Sequence, residues 1–197
     1  MRPSNPRRFS ILVFTSLVLA ACDGLPKAVG PSQEILVLAN PADWERLEQP
    51  IRDTFEKVLR TPQAEKIFNI QHGLVSNIDT HKHLRRKNLM VVSPIDATHA
   101  TGEFLRGLLD PDVHHAIQAG TVDVSWKRDV WAEDQLLIIA SGKDVETVIE
   151  NVRMEADRLY DAVERARNER VTKLVYKYGE RRDVTEQLLR DFGWNIR

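Results

Sequence analysis

The chain has 197 residues, with 28 basic and 29 acidic side chains and an apolar content of 42%. That apolar content is enough for a buried core and excludes a disordered chain. The balanced charge argues against a general nucleic-acid binder, whose surface would be basic, so we expect no nucleic-acid partner. The single cysteine excludes a disulfide within the monomer.

The amino-terminal residues are arranged like a secretory signal peptide. Three arginines and no acidic residue precede an apolar run over residues 11–21. This run is too short to cross a bilayer, which requires about 20 apolar residues. The tetrapeptide Leu-Ala-Ala-Cys at 19–22 resembles a bacterial lipobox. That resemblance implies a diacylglyceryl thioether on Cys22, cleavage before this residue and acylation of the new amino terminus.

Two simpler interpretations of these residues are an ordinary signal peptide and a first strand with a free thiol. Neither requires a cysteine at this position, so we predict a lipoprotein signal peptide over residues 1–21 and lipidation of Cys22. Two or more acyl chains anchor a protein stably, since each buried methylene contributes about 0.8 kcal/mol. We therefore expect a bacterial envelope protein, bound through this lipid to a membrane facing the periplasm or the cell surface.

The mature chain is predicted to begin with the lipidated cysteine and a tether over residues 22–32, where glycine and proline favour extended or turning backbone. The sequence that follows is predicted to form one α+β domain over residues 33–179 and a C-terminal helix over residues 180–197. Without the three arginines of the signal peptide, 25 basic and 29 acidic side chains remain, a net charge of about −4.

The first predicted strand is the apolar run over residues 34–39. Asn40 followed by Pro41 predicts the start of a helix, and the helical spacing of apolar residues continues to Val58. Pro50 is expected to kink or divide this helix. Further strands are predicted over residues 67–73, 89–95, 122–126 and 136–140, and short helices over residues 103–109 and 113–119.

The longest predicted element is a helix from Ser141 to Tyr178, about 50 Å long if it is unbroken. Its start resembles a capping box formed by Ser141 and Asp144. A last helix from Asp183 to Phe192 carries a further apolar stripe. The residues of the long helix that we expect to face a sheet are Val148, Val152, Leu159 and Val163.

This order of elements predicts an α+β fold. The sheet is expected to be mostly antiparallel, with helices packed on one face in a ferredoxin-like layering and a long C-terminal helix. The region from Val171 to Arg197 is expected to pack less well than the body, because its apolar stripe extends past one compact domain. It should be mobile or pair with a protein partner, for instance a second copy of the chain.

The sequence offers few groups for catalysis or metal binding. The pair His81 and His83 and the pair His114 and His115 lack the helical spacing typical of zinc ligands, so we predict solvated histidines and no metal. There is no Gly-x-Ser-x-Gly elbow, no Walker loop and no dinucleotide fingerprint. We therefore assign no catalytic residue and no cofactor.

Two further patterns have both a functional and a structural interpretation. The basic residues from Lys82 to Lys87 could contact anionic head groups or polysaccharide, although a charged loop before a strand is the simpler explanation. Trp126 and Trp131 could form a sugar-binding platform, although aromatic side chains more often pack in a core or on a sheet.

The sequence from Cys22 onward also carries a pattern of short segments. They lie at residues 25–32, 34–41, 61–65, 86–89 and 129–135, with Trp44 as a further point of similarity. This pattern resembles an uncharacterised family of Bacteroidota-type envelope lipoproteins, a domain of unknown function. The resemblance implies a lipid-anchored protein and transfers no catalytic residue. Family members continue past a segment similar to Leu-Leu-Arg-Asp-Phe-Gly-Trp-Asn-Ile, so the resemblance implies a shortened member.

Two classes of function stay open at this point. The first is a membrane-anchored envelope lipoprotein of unknown function, acting as a non-enzymatic binding or structural component. The alternative is an envelope-acting enzyme of hydrolase type whose residues meet only in the fold. The absence of a catalytic motif favours the first class.

Overall fold

The computed structural model describes residues 24–60, 64–177, 179 and 182–193, so Cys22 lies outside the described residues. The strands are β1 (Glu34–Leu38), β2 (Val58–Arg60), β3 (Ala64–Lys66), β4 (Asn69–Gly73), β5 (Asn88–Pro94), β6 (Val124–Arg128) and β7 (Leu136–Gly142). The helices are α1 (Pro41–Phe55), α2 (Ala100–Gly107), α3 (Pro111–Gln118), α4 (Val145–Met154), α5 (Ala156–Val175) and α6 (Arg182–Phe192). A 3₁₀ turn and a π-helical turn lie between β4 and β5, at Val75–Asn77 and Thr80–Leu84.

Five strands form one mixed sheet in the order β4-β1-β5-β7-β6. The pairs β4–β1, β1–β5 and β5–β7 are parallel, whereas β6 runs antiparallel to β7 at the edge. The strands β1 and β7 consist almost entirely of buried residues, which is typical of parallel strands covered on both faces. A separate two-stranded hairpin of β2 and β3 follows α1.

The expected combination of a sheet with helices and a long helix near the C-terminus is confirmed, but the expected mostly antiparallel sheet is wrong. The helix α1 returns the chain across the sheet after β1, so β4 starts at the same edge as β1 and pairs with it in parallel. The strands predicted over residues 122–126 and 136–140 correspond to β6 and β7, which form the antiparallel part of this sheet.

Helices cover both faces of the sheet rather than one, which also corrects the ferredoxin-like layering. On one face, α1, α4 and α5 pack against Ile35, Val37 and Ile138. On the other face, α2 and α3 pack against Leu36 and Leu38. Successive side chains of a strand point to opposite faces. A strand that is apolar at every position therefore needs a covering layer on each side.

The first helix begins as the sequence predicts. The side chain of Asn40 caps α1 by accepting a hydrogen bond from Ala42 N–H at 3.0 Å, and Pro41 occupies the first turn, where no backbone donor is lost. The helix continues through Pro50 to Phe55 as one element. Its buried residues face the sheet; the large apolar ones are Trp44, Leu47, Ile51 and Phe55.

The predicted single helix from Ser141 to Tyr178 is wrong, because the chain turns at Glu155 between α4 and α5. The cap of α4 is the side chain of Asp144, which accepts a hydrogen bond from Thr147 N–H at 2.8 Å. Ser141 is instead a buried residue of β7. The four residues predicted to face the sheet are all fully buried: Val148, Val152, Leu159 and Val163.

The last turns of α5 and the helix α6 expose much of their apolar surface. Leu174 is 70% exposed and Tyr176 is 63% exposed, and on α6 Leu189 and Phe192 are exposed as well. This agrees with the weaker packing expected after Val171, whereas the expected mobility or pairing stays a prediction. None of the described helices is long and apolar enough to cross a membrane.

We expect Leu159→Ala to lower the free energy of unfolding by about 2–5 kcal/mol, because it removes a fully buried side chain from the packed face of α5. The matched control on the same helix is Leu174→Ala, which should change stability by less than about 0.5 kcal/mol. Denaturant unfolding of both variants measures the difference. Equal losses would contradict the assignment of the packed face.

Candidate functional site

Residues 25–29, here called the docked segment, lie along the edge of the sheet at which β1, β5 and β7 begin, here called the amino edge. Hydrogen bonds hold this segment there. Glu133 N–H donates to the Pro26 carbonyl at 2.8 Å, and Ala28 N–H donates to the Glu133 carbonyl at 2.9 Å. Val29 N–H donates to the Arg85 carbonyl at 2.8 Å. This part of the predicted tether therefore packs on the folded body.

Arg170, on α5, places a buried positive charge at the amino edge and is only 9% exposed. Its guanidinium donates to the carbonyls of Lys87 (3.2 Å) and Asp134 (2.8 Å) and to the side-chain oxygen of Asn88 (2.6 Å). Burial, with a smaller contribution from Arg128, lowers the pKa of Arg170 to about 10. The guanidinium is therefore charged at neutral pH, and its acceptors compensate for the lost water.

Two buried amide side chains extend this network along the amino edge. Asn88 donates to the carbonyls of Ser32 and Glu34, both at 3.0 Å. Gln135, which is fully buried, donates to the carbonyl of Arg86 at 2.9 Å. These amides donate to carbonyls at or just before the starts of β1 and β5. A buried carbonyl without a donor would cost about 1–3 kcal/mol there.

The loop before β7 brings two carboxylates to the same edge. Asp129 and Asp134 have φ angles of 54° and 68°, a left-handed conformation that aspartate adopts more readily than most residues. Asp134 N–H donates to the carboxylate of Asp129 at 2.6 Å, which closes the loop. The turn directs the side chain of Asp134 toward α5.

An open groove of about 480 Å³ lies beside Arg170, between the docked segment and the end of α5. Lys27 pairs with Glu133 at 2.6 Å, and Lys173 pairs with Asp134 at 2.5 Å. The hydrogen bond from Lys173 is the main reason that the pKa of Asp134 lies below its ordinary value. The charged lining of the groove comprises five cations and two carboxylates: Lys27, Lys87, Arg170, Lys173, Lys177, Glu133 and Asp134.

The opposite edge, at which the parallel strands end, is here called the carboxyl edge. In open α/β folds, ligands usually bind at this edge, at the point where two neighbouring strands connect to helices on opposite faces of the sheet. Here β1 leads to α1 on one face, and β5 leads to α2 on the other. His99 occupies this point, with Nε2 2.9 Å from the carboxylate of Asp43 and Nδ1 accepting from Gly102 N–H at 3.2 Å. Both ring nitrogens of His99 are thus used to join α1 to α2.

A small cavity near this edge gives the enzyme alternative little support. Its volume is about 210 Å³, below the 300–1,000 Å³ typical of small-molecule sites. His72 lines it, but its Nε2 bonds to the Ala39 carbonyl at 3.0 Å and its ring stacks on Trp44. His83 also lines it, and its Nδ1 accepts from Asp79 N–H at 2.9 Å.

The remaining histidines predicted from the sequence do not converge with these. His114 lies 3.7 Å from the carboxylate of Asp96 and packs edge-on against His115. The side chain of His81 lies outside the described part of the chain. Within the described residues, no group of three or more potential metal ligands occurs.

The two tryptophans considered for a sugar platform lie on opposite faces of the sheet. The ring of Trp126 is covered by the guanidinium of Arg158, from α5, at 5.5 Å. Trp131 stacks on Phe104 in the cluster on the other face. They therefore form no common platform.

The fold and the site define a layered α/β domain whose amino-terminal segment is docked on the amino edge of a mostly parallel sheet. The chain belongs to the DUF8532 family, a domain of unknown function, whose profile matches residues 28–176. This confirms the resemblance to an uncharacterised family. The matched range includes the docked Val29, the network around Asn88 and the whole of α5. Searches of curated proteins and of solved structures gave no significant match.

No sequence pattern indicates Arg170, which lies at the centre of this site. An arginine on a charged helix is normally solvated, and two of the three partners of Arg170, Lys87 and Asn88, lie more than eighty positions earlier in the chain. One signal was available: the resembling segments at residues 86–89 and 129–135 contain Asn88 and Gln135. These segments meet at the amino edge.

Arg170→Gln is expected to destabilise the fold by about 1–3 kcal/mol, because the shorter amide leaves buried acceptors of the network without a donor. The matched control is Arg165→Gln, an exposed arginine on the same helix, which should change stability by less than about 0.5 kcal/mol. Thermal and denaturant unfolding of the two variants measure the difference. If both variants keep wild-type stability, the network does not hold the amino edge together.

The ion pair between Asp134 and Lys173 predicts that the stability of the fold depends on pH in the acid range. Because its pKa is lowered in the folded state, its stabilisation is present above the ordinary value of 3.8 and is lost as the pH falls through the folded pKa. In Lys173→Met we expect the pKa of Asp134 to rise toward the ordinary value, so the stabilisation disappears at a higher pH. A carboxyl-detected NMR titration measures this shift. An unchanged pKa in the variant would show that Lys173 does not stabilise the carboxylate.

Proposed function

We propose that this protein is an envelope lipoprotein of the Bacteroidota type, a non-enzymatic binding or structural component held at a membrane by lipid on Cys22. The sequence supports this through the basic start, the apolar run over residues 11–21 and the tetrapeptide at 19–22, which resembles a lipobox. No membrane-crossing helix is needed for such an anchor, because two or more acyl chains hold a protein stably.

The observation that carries the proposal is the position of the docked segment. Only residues 23–25 separate Cys22 from Pro26, which is already hydrogen-bonded to the body. Four backbone steps span at most about 14 Å, since an extended chain advances by roughly 3.5 Å per residue. A lipid on Cys22 would therefore hold the amino edge close to the bilayer surface.

The chemistry of the described residues favours binding or structural support over catalysis. At the carboxyl edge, His99 and His72 are engaged in contacts between elements of the fold. At the amino edge, the buried polar groups of Arg170 and Asn88 are directed at backbone carbonyls and at each other. A general base needs a free lone pair within reach of a substrate. His99 uses the lone pair of Nδ1 to accept from Gly102 N–H, and neither a guanidinium nor an amide acts as a base at neutral pH.

The test of the anchor is Cys22→Ser, expressed in a bacterium that processes lipoproteins. We expect the variant to accumulate as an uncleaved precursor without a thioether, whereas the wild-type chain gains a diacylglyceryl group and partitions into detergent. Labelling with palmitate and intact-mass spectrometry measure both states. The control Leu25→Ser lies outside the tetrapeptide and should still be lipidated. A mature wild-type protein without lipid would contradict the proposal.

A further inference from the structure

We propose that the amino edge and the exposed end of α5 form a surface that binds the anionic head groups of a bilayer, so that the domain lies on the membrane in one orientation. This inference rests on the proposed lipid anchor and goes beyond it. An anchor alone would leave the domain free to rotate. The surface consists of Leu25, Lys27, Lys173, Leu174, Tyr176 and Lys177, around the groove beside Arg170.

The first argument is proximity. The hydrogen bonds of Pro26 and Ala28 fix the docked segment on the amino edge, so the anchor point can move only as far as the three preceding residues allow. The amino edge is the part of the body nearest to Cys22 along the chain. The carboxyl edge, with His99, lies at the other end of the strands.

The second argument is charge. The groove is lined by five cations and two carboxylates, a surplus of three positive charges, although the mature chain carries a net charge of about −4. Positive potential is thus concentrated at one edge of an acidic protein. Anionic lipids attract basic side chains that lie within a Debye length of the surface.

The third argument is the apolar surface that accompanies these cations. Leu174 is the most exposed of the large apolar side chains on α5, and it lines the same groove as Lys173 and Lys177. Tyr176 follows with an exposed ring, and Leu25 is exposed at the start of the docked segment. Apolar and aromatic groups flanked by lysines are typical of surfaces that enter the head-group layer of a bilayer.

The experiment uses the lipidated mature protein reconstituted into nanodiscs that carry a spin label on a lipid head group. One set of discs contains only phosphatidylcholine, and the other contains about one third phosphatidylglycerol. Relaxation of backbone amide signals by the label reports which part of the domain lies on the membrane. In anionic discs we expect the signals of residues 26–29 and 171–177 to weaken at least twofold more than those of residues 95–99 at the carboxyl edge.

The variant Lys27→Gln with Lys177→Gln should abolish this difference at residues 171–177, because each lysine near an anionic surface contributes roughly fivefold to binding. Residues 26–29 should stay near the bilayer in this variant, since the anchor holds them there. The matched control is Arg46→Gln with Lys143→Gln, which removes two charges beside the carboxyl edge and should behave as wild type. High salt should reverse the contact in the wild type. Equal weakening at both edges, or the same pattern in neutral discs, would overturn the proposal.

The outcomes separate this inference from the proposed function. If intact-mass spectrometry finds no lipid on Cys22, the anchor fails, and the lipid-free mature chain is then titrated with both kinds of disc. Preferential binding to anionic discs would still support the surface, whereas equal affinity would overturn it. Hydrogen exchange on residues 171–177 tests the other occupant. Protection that depends on protein concentration and not on lipid charge would assign these residues to a contact between two copies, and would also overturn the proposed membrane surface.

Discussion

The buried guanidinium of Arg170 is the constraint on which the amino edge depends. A charge that leaves water must find acceptors. Arg170 finds them on Lys87 just before β5, on Asn88 at the start of β5 and on Asp134 in the loop before β7. Asn88 in turn holds the carbonyls of Ser32 and Glu34, at the start of β1. One side chain near the end of the domain therefore ties α5 to the beginnings of three strands.

Much of the fold could be predicted from local patterns. Asn40 with Pro41 marks the start of α1, and the apolar runs of β1 and β7 mark buried strands. These runs do not specify strand direction, which depends on where the connecting helices pack. The break at Glu155 was hidden because glutamate favours helix and the apolar spacing continues across it.

The candidate site was less predictable, because its parts are distant in sequence and ordinary in type. Arg170 and Asn88 are 82 positions apart, and a basic residue on a polar helix carries no sign that it is buried. The basic run before β5 was interpreted as a solvated loop, whereas Arg85 and Lys87 border the groove or the docked segment. The sequence leads us to propose a lipid on Cys22, but it does not indicate the edge of the sheet on which the following segment docks.

The same long-range contact has a consequence for how the protein acquires its structure. A polypeptide that is synthesised amino end first cannot complete the amino edge until residue 170 has emerged, since the guanidinium of Arg170 completes the network. Before that point, the starts of β1 and β5 lack the hydrogen bonds that depend on Arg170. The docked segment also lacks a complete surface on which to pack. The start of the sheet, although it is made first, therefore becomes complete only after α5 has formed.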